Sequence, residues 1–114
     1  MPDSYNIVQI TDWHVDLNYL EGSNKKCNYE ICCQKEWGMA ESPENAARKY
    51  GEITCDVPYI TAEKQIESLI EYERKVLKPK NEKIDLILWT GDSISHDLHN
   101  TNQQHTLETI NLLT

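Results

Sequence analysis

The sequence predicts an α/β fold built on a β-α-β unit, because two strand-like segments flank an amphipathic helix. Residues 5–11 and 84–90 are rich in β-branched and aromatic residues, and the second segment is almost continuously apolar, as in a strand covered on both faces. Residues 61–78 carry apolar side chains at helical spacing, with Pro79 beyond the end. We therefore expect parallel neighbouring strands whose carboxyl ends share one edge of a sheet.

Length and charge restrict the classes of protein to which the chain can belong. It has 114 residues, of which 11 are basic and 19 acidic, so its formal net charge is −8. That length fits one domain. The acidic balance argues against a broad grip on nucleic-acid phosphates or on an anionic membrane, because such binding needs clustered Lys and Arg. If the substrate carries a phosphate, a cation must supply the attraction.

A long irregular segment, residues 20–58, separates the first strand from the helix and contains all the cysteines. Ordinary strand-to-helix loops have about 2 to 6 residues. Cys27, Cys32, Cys33 and Cys55 are even in number, which favours a disulfide-closed loop and an oxidising compartment. A zinc knuckle is the rival interpretation, but the spacings lack the paired C-x2-C pattern of structural zinc sites.

The two ends of the chain carry weaker signals. Residues 1–5 show neither the basic start nor the apolar stretch of a secretory signal, and no apolar run approaches the ~20 residues that span a bilayer. Residues 101–104 fit a capping box, and Leu107, Ile110 and Leu113 continue at helical spacing. A two-stranded parallel sheet cannot cover both of its faces, so we expect a fragment of a larger α/β domain.

Residues that suit metal binding follow both predicted strands. Asp12 and His14 follow the first strand, and Gly91 and Asp92 follow the second. Ligands of open α/β sheets bind at the carboxyl ends of strands, so these side chains are expected to converge. Two divalent metals held about 3.5 to 4 Å apart would favour phosphoester hydrolysis. The alternative is that both aspartates cap helices and that His14 is a surface residue.

The sequence around these residues resembles a known family. Residues 10–16 (ITDWHVD) and 89–97 (WTGDSISHD) are similar to the calcineurin-like metallophosphoesterases, and more closely to their acid sphingomyelinase branch. Three further details favour that branch, namely the adjacent Cys32 and Cys33, the segment 50–58 (YGEITCDVP), and His96-Asp97 four residues after Gly91-Asp92. The resemblance runs from about Ile7 to the end of the chain.

The resemblance implies a fragment of a four-layer α/β sandwich. Residues 1–114 would form an incomplete portion of one metallophosphoesterase catalytic domain, with no second domain. Cys27 would pair with Cys32, and Cys33 with Cys55, which is one of three pairings for four cysteines. The Gly-Asn-His segment and the later histidines that complete the family's metal shells do not occur in this chain.

The resemblance also implies roles for the residues at the strand ends. Asp12 and His14 would ligate the first of two zinc ions, and Asp92 would bridge both. His96 would be catalytic, lying beside the scissile phosphate and protonating the departing alkoxide, a contribution of about 10² to 10⁴-fold. The alternative for His96 is a hydrogen-bonded loop residue. Trp13 stands where the family usually has Leu, so different packing behind the first metal is expected.

In its complete form the protein is expected to be a secreted or lysosomal hydrolase of lipid metabolism that converts sphingomyelin to phosphocholine and ceramide. Its partners would be a sphingolipid or another phosphodiester, with membrane contact through regions outside this chain and no nucleic-acid scaffold. Three ligands leave two metals undercoordinated, so the chain alone is expected to be inactive and poorly folded.

The alternatives are hydrolysis of nucleotides or other soluble phosphodiesters, and a non-catalytic interaction module. His99 and His105 are expected to be solvated.

Overall fold

Strands and helices are interspersed along the chain in the computed structural model, which describes residues 4–96 and 103–113. In chain order they are β1 (Ile7–Ile10), β2 (Val15–Asp16), β3 (Val57–Pro58), α1 (Tyr59–Tyr72), β4 (Leu86–Trp89) and α2 (Gln103–Leu113). This mixed content confirms the α/β class. Among the described residues, no helix is both long and apolar enough to cross a membrane.

The two predicted strands pair in parallel. β1 lies beside β4, with Ile7 opposite Leu86 and Ile10 opposite Trp89. Each strand is four residues long, shorter than the predicted segments 5–11 and 84–90. The regular pleat stops at the carboxyl ends because the backbone turns into left-handed conformations shortly afterwards, at Asp12 and at Gly91-Asp92. The β-α-β arrangement expected from the sequence is thus confirmed at its two strands.

Helix α1 begins two residues earlier than predicted and its regular part ends at Tyr72. The chain then continues through a wider π turn, Glu73–Leu77, and a 3-10 turn, Lys78–Lys80. The expectation that Pro79 lies beyond the helical segment is therefore wrong. Pro79 occupies one of the first positions of the 3-10 turn, where its missing N–H leaves no hydrogen bond unmade.

A second small sheet was not predicted. β2 and β3 pair in parallel, with Val15 opposite Val57, and Val15 also forms a bridge to Ile94. Two-residue strands are too short to produce a hydrophobic period, so the sequence gives no signal for them. Val15 and Ala62 of α1 are fully buried and form a small core, against which four partly buried residues pack, namely Trp13, Leu17, Tyr59 and Trp89.

Three of the four apolar residues of β4 are exposed in this chain. Leu86, Ile87 and Leu88 are 49%, 55% and 44% exposed, so the expected cover on both faces is not supplied by the described residues. The second helix also differs from its predicted pattern, because Leu107 and Ile110 are exposed whereas Thr109 is buried. Thr101 and Asn102 of the predicted capping box lie outside the described residues.

Disulfides order the long segment between β2 and β3. Cys27 pairs with Cys32 and Cys33 with Cys55, the connectivity that the resemblance implies, so no cysteine is left for a zinc knuckle. The sequence separations are 5 and 22 residues. Three isolated β-bridges add further order, in which Tyr19 pairs with Gln34, Ser23 with Met39 and Asn24 with Ala46. Two 3-10 turns, Lys35–Trp37 and Pro43–Asn45, lie in the same segment.

The two disulfides are expected to contribute unequally to stability. In the chain-entropy model, replacing Cys33 and Cys55 by Ala costs about 3 kcal/mol, whereas replacing Cys27 and Cys32 costs about 2 kcal/mol, because the first pair closes the longer loop. Urea unfolding of the two double variants, in the protein that carries this chain, measures the difference. A greater loss for the Cys27 and Cys32 variant would contradict the loop-length argument.

Candidate metal centre

Three side chains with metal-binding atoms converge at the carboxyl ends of β1 and β4. Asp12, His14 and Asp92 each offer one ligand atom, and these atoms all lie within 4.8 Å of one another. His14 Nε2 is 3.8 Å from Asp12 Oδ1 and 3.3 Å from Asp92 Oδ2. The predicted convergence is confirmed, whereas metal ligation by these residues stays a prediction.

The backbone at these three positions has an unusual conformation. Asp12, His14 and Asp92 have φ angles of 54°, 41° and 56°, and they are three of the five non-glycine residues with positive φ in the described part of the chain. Residues in this region cost of order 1–3 kcal/mol each and concentrate at functional sites. Gly91, with φ 94°, completes the turn after β4. Strain gathered on the three candidate ligands supports a functional role for this loop pair.

Backbone hydrogen bonds hold the two loops together. The Asp12 N–H donates to the Gly91 carbonyl at 3.1 Å, and the His14 N–H donates to the Asp92 carbonyl at 3.4 Å. The Val15 N–H continues the series to the Ser93 carbonyl at 2.9 Å. Because main-chain bonds fix both loops, the distances between the candidate ligands do not depend on side-chain contacts alone.

The ring of His14 is oriented by a carbonyl group. His14 Nδ1 is 3.0 Å from the Ile94 carbonyl oxygen. A carbonyl only accepts, so Nδ1 carries a proton and Nε2 is the nitrogen that faces the two carboxylates. Metal-binding histidines usually donate their other ring N–H in this way. One imidazole nitrogen with two carboxylates is also a donor set that suits zinc and similar divalent ions, so the site fits a metal.

A neighbouring hydroxyl favours the ionised form of Asp12. Thr11 Oγ1 donates to Asp12 Oδ2 at 2.6 Å. This bond, then a hydrogen bond with Asp92 and the charge of His14, lower the pKa of Asp12 below its ordinary value. The carboxylate form, which is the form that binds metals, is therefore favoured at Asp12.

His96 lies directly beside the candidate ligands. Its ring stacks on that of His14, with centroids 4.0 Å apart and planes 30° apart. His96 Nδ1 is 2.8 Å from Asp56 Oδ1, and this bond raises the pKa of the imidazole above its ordinary value. Burial opposes the shift, and the negative charges of Asp56, Asp92 and Glu30 reinforce it. Both the predicted neighbourhood of His96 and its alternative as a hydrogen-bonded residue agree with this geometry.

Sequence reasoning missed Asp56 and the small disulfide loop as parts of the site. Asp56 contacts His96, which is 40 positions later in the sequence. In the sequence, the feature that could have pointed to Asp56 was its place in the CDVP segment of the family resemblance. A cleft of about 510 Å³ opens beside His14 and Asp92, and Glu30 and Ile31 of the Cys27–Cys32 loop form part of its wall. Its lining is His14, Glu30, Ile31, Asp92, Ile94, Ser95 and His96.

Trp13, which lies between Asp12 and His14 in the sequence, packs against an aromatic neighbour and the small core, and the expected difference from the family's Leu stays a prediction. Its ring lies 6.4 Å from that of Trp89, at an angle of 44°, and contacts the core around Val15. The Trp89 indole N–H donates to Ser93 Oγ at 3.0 Å. Asp97, His99 and the side chain of His105 lie outside the described residues.

Comparison with known proteins gives relatives of one main kind. Over 109 residues, 95% of this chain, it is 32% identical to the sphingomyelin phosphodiesterase of Homo sapiens, of which the match covers 16%. Over 92 residues, 81% of the chain, it is 35% identical to sphingomyelin phosphodiesterase B of Dictyostelium discoideum, of which the match covers 13%.

A relative of another name also matches. The chain is 34% identical over 92 residues to an endopolyphosphatase of Saccharomyces cerevisiae, a match covering 79% of this chain and 12% of that protein. No protein-family model matches. The chain spans about one seventh of the length of the curated relatives that it matches. Since the similarity extends over most of its residues, the chain belongs to the acid sphingomyelinase-like branch of the calcineurin-like metallophosphoesterases.

Proposed function

We propose that this chain supplies part of the metal centre of a phosphodiesterase that hydrolyses sphingomyelin to phosphocholine and ceramide. The observation that carries the proposal is the convergence of Asp12, His14 and Asp92, all with left-handed backbone, at two adjoining strand ends. The relatives named sphingomyelin phosphodiesterases support the substrate. Activity is proposed for a whole protein that includes this chain, and residues 1–114 alone are expected to be inactive.

The proposed ions are two zinc ions, of which Asp12 and His14 would hold one, and Asp92 would be a ligand of both. Bound zinc lowers the pKa of water and polarises a phosphoryl oxygen, which is the chemistry that phosphodiester cleavage requires. Zinc usually takes four ligands, so we propose that residues outside this chain complete both shells. The chain's charge of −8 gives phosphate no general attraction, which makes local cations necessary.

The residues of this chain would prepare the site before substrate arrives. The Ile94 carbonyl holds the His14 ring through Nδ1, and the Thr11 hydroxyl favours the carboxylate form by lowering the pKa of Asp12. The backbone bonds from Asp12 and His14 to the opposite loop fix their spacing. Groups that are already oriented need not reorganise as charge develops in the transition state.

His96 would hold the proton for the leaving group. Asp56 occupies its Nδ1, so Nε2 is the nitrogen that remains for the alkoxide oxygen of the substrate. The raised pKa keeps the imidazolium form, which can donate, present up to a higher pH. The position of His96 on the cleft wall beside His14 and Asp92 is consistent with this role.

We propose that this chain lies within a four-layer α/β sandwich, as a portion of one catalytic domain. The exposed apolar residues of β4 support the proposal, because a two-stranded parallel sheet needs further elements on its faces. We propose further that the protein is secreted or lysosomal, since two disulfides are typical of oxidising compartments. Membrane contact would be made by regions outside this chain.

Loss of one candidate ligand is expected to weaken zinc binding. In the whole protein, Asp92→Asn should lower zinc affinity about tenfold or more, because it removes the carboxylate that would be shared by both ions. Glu63→Gln, on the exposed side of α1, removes the same charge and serves as the control. Zinc content after dialysis against graded chelator measures the affinity. Equal zinc retention by the two variants would show that Asp92 is not a ligand, and absence of zinc in the unsubstituted protein would favour the non-catalytic module.

His96→Ala is expected to lower kcat on sphingomyelin vesicles by about 10² to 10⁴-fold while leaving the zinc content unchanged, because it removes an acid and not a ligand. Steady-state kinetics together with metal analysis separate these two effects. A kcat equal to that of the unsubstituted protein would contradict the catalytic role.

A second candidate function is the cleavage of a soluble phosphate polymer or phosphodiester, which the endopolyphosphatase relative favours. Sphingomyelin vesicles, a nucleotide phosphodiester and inorganic polyphosphate should be compared at equal enzyme concentration. We expect the highest kcat/KM on sphingomyelin. A higher value on either soluble substrate would replace the lipid assignment but retain the metal centre.

A further inference from the structure

The Asp56 carboxylate forms three hydrogen bonds to the segment that carries His96. Asp56 Oδ2 accepts from the His96 backbone N–H at 2.6 Å and from Ser95 Oγ at 3.0 Å. Its other oxygen, Oδ1, accepts from His96 Nδ1 at 2.8 Å. Both the main chain and the ring of His96 are therefore held by one carboxylate, which is itself only 7% exposed.

Asp56 is fixed on both sides by the fold. The preceding residue, Cys55, is bonded to the fully buried Cys33. The following residue, Val57, lies in β3, and its N–H donates to the His14 carbonyl at 3.2 Å. The backbone on both sides of Asp56 is therefore held in place, and on one side it is bonded to the backbone of the candidate ligand His14.

Among the residues that the structure describes, few others restrain the ring of His96. Its side chain is 57% exposed, and its second contact is the stack on His14. An exposed imidazole without a fixed partner populates several staggered rotamers. A displacement of about 1 Å at a reacting group can cost about 10²-fold in rate, so the partner that selects one rotamer affects turnover.

We infer that Asp56 is a positioning residue that orients His96 so that Nε2 faces the cleft, an inference that rests on the function proposed above for His96. A carboxylate can accept the Nδ1–H, the His96 backbone N–H and the Ser95 hydroxyl together. An amide at position 56 has one oxygen for these donors, and its NH2 group cannot accept from Nδ1–H. The ring must then turn, or Nδ1 must be without its proton and accept a hydrogen bond from the amide NH2 group.

The test is a double-mutant cycle in the whole protein, with Asp56→Asn, His96→Ala and the combination. We expect Asp56→Asn to lower kcat on sphingomyelin by about 10 to 10²-fold, with zinc content and KM little changed. In the His96→Ala background the same substitution should have no further effect on kcat, because Asp56 acts through the missing ring. A p-nitrophenyl phosphodiester, whose leaving group needs no proton, should show a smaller loss.

Asp16→Asn is the matched structural control. Asp16 is another buried carboxylate, 1% exposed, and accepts from Gln34 Nε2 and the Asn18 N–H, each at 2.8 Å. Any loss of kcat that it causes should be the same with and without His96. Thermal unfolding checks that each variant is folded, and if Asp56→Asn is not, Asp56→Glu retains the charge with the carboxylate displaced and should show a partial loss.

The outcomes separate this inference from the proposed function. A normal kcat in His96→Ala overturns both. A slow His96→Ala with a normal Asp56→Asn overturns the positioning role alone. An equal loss from Asp56→Asn in both backgrounds also overturns it, since the residue would then act through general stability.

Discussion

The parallel pairing of β1 with β4 is the constraint on which the candidate site depends. It brings the loops after two strands that are far apart in sequence to one edge, where the N–H groups of Asp12 and His14 bond to the opposite loop. Without that register, the carboxylates would have no common neighbour. The strands provide the position, and the left-handed residues after them turn the ligand atoms toward one point.

The candidate site brings together carboxylates and strained backbone, both of which cost free energy in the absence of a ligand. Two carboxylates and an imidazole nitrogen face one another within 4.8 Å, and all three residues have strained backbone. A divalent cation at this point would be the largest local charge and would attract both carboxylates. Such local conflict between backbone preference and native conformation is expected where function, and not stability, has selected the residues.

The features predictable from the sequence were those with a periodic or motif signal. The two strands and α1 had hydrophobic patterns, and the convergence of Asp12, His14 and Asp92 followed from where parallel strands end. The short β2–β3 sheet had no period to detect. The contact between Asp56 and His96 also leaves no pattern in the sequence, because it joins two single side chains that are 40 positions apart. The prediction that the helical segment ends before Pro79 was wrong, because the first turn of the 3-10 helix Lys78–Lys80 accepts a proline.

The separation of β1 from β4 along the chain has a consequence for biosynthesis. The hydrogen bond from His14 to Ile94 spans 80 positions, whereas both disulfides close within the first 55 residues. During vectorial synthesis the cysteines emerge from the ribosome before Asp92 does. Oxidation of the loop can therefore precede assembly of the candidate ligand set, because neither disulfide needs any residue beyond Cys55.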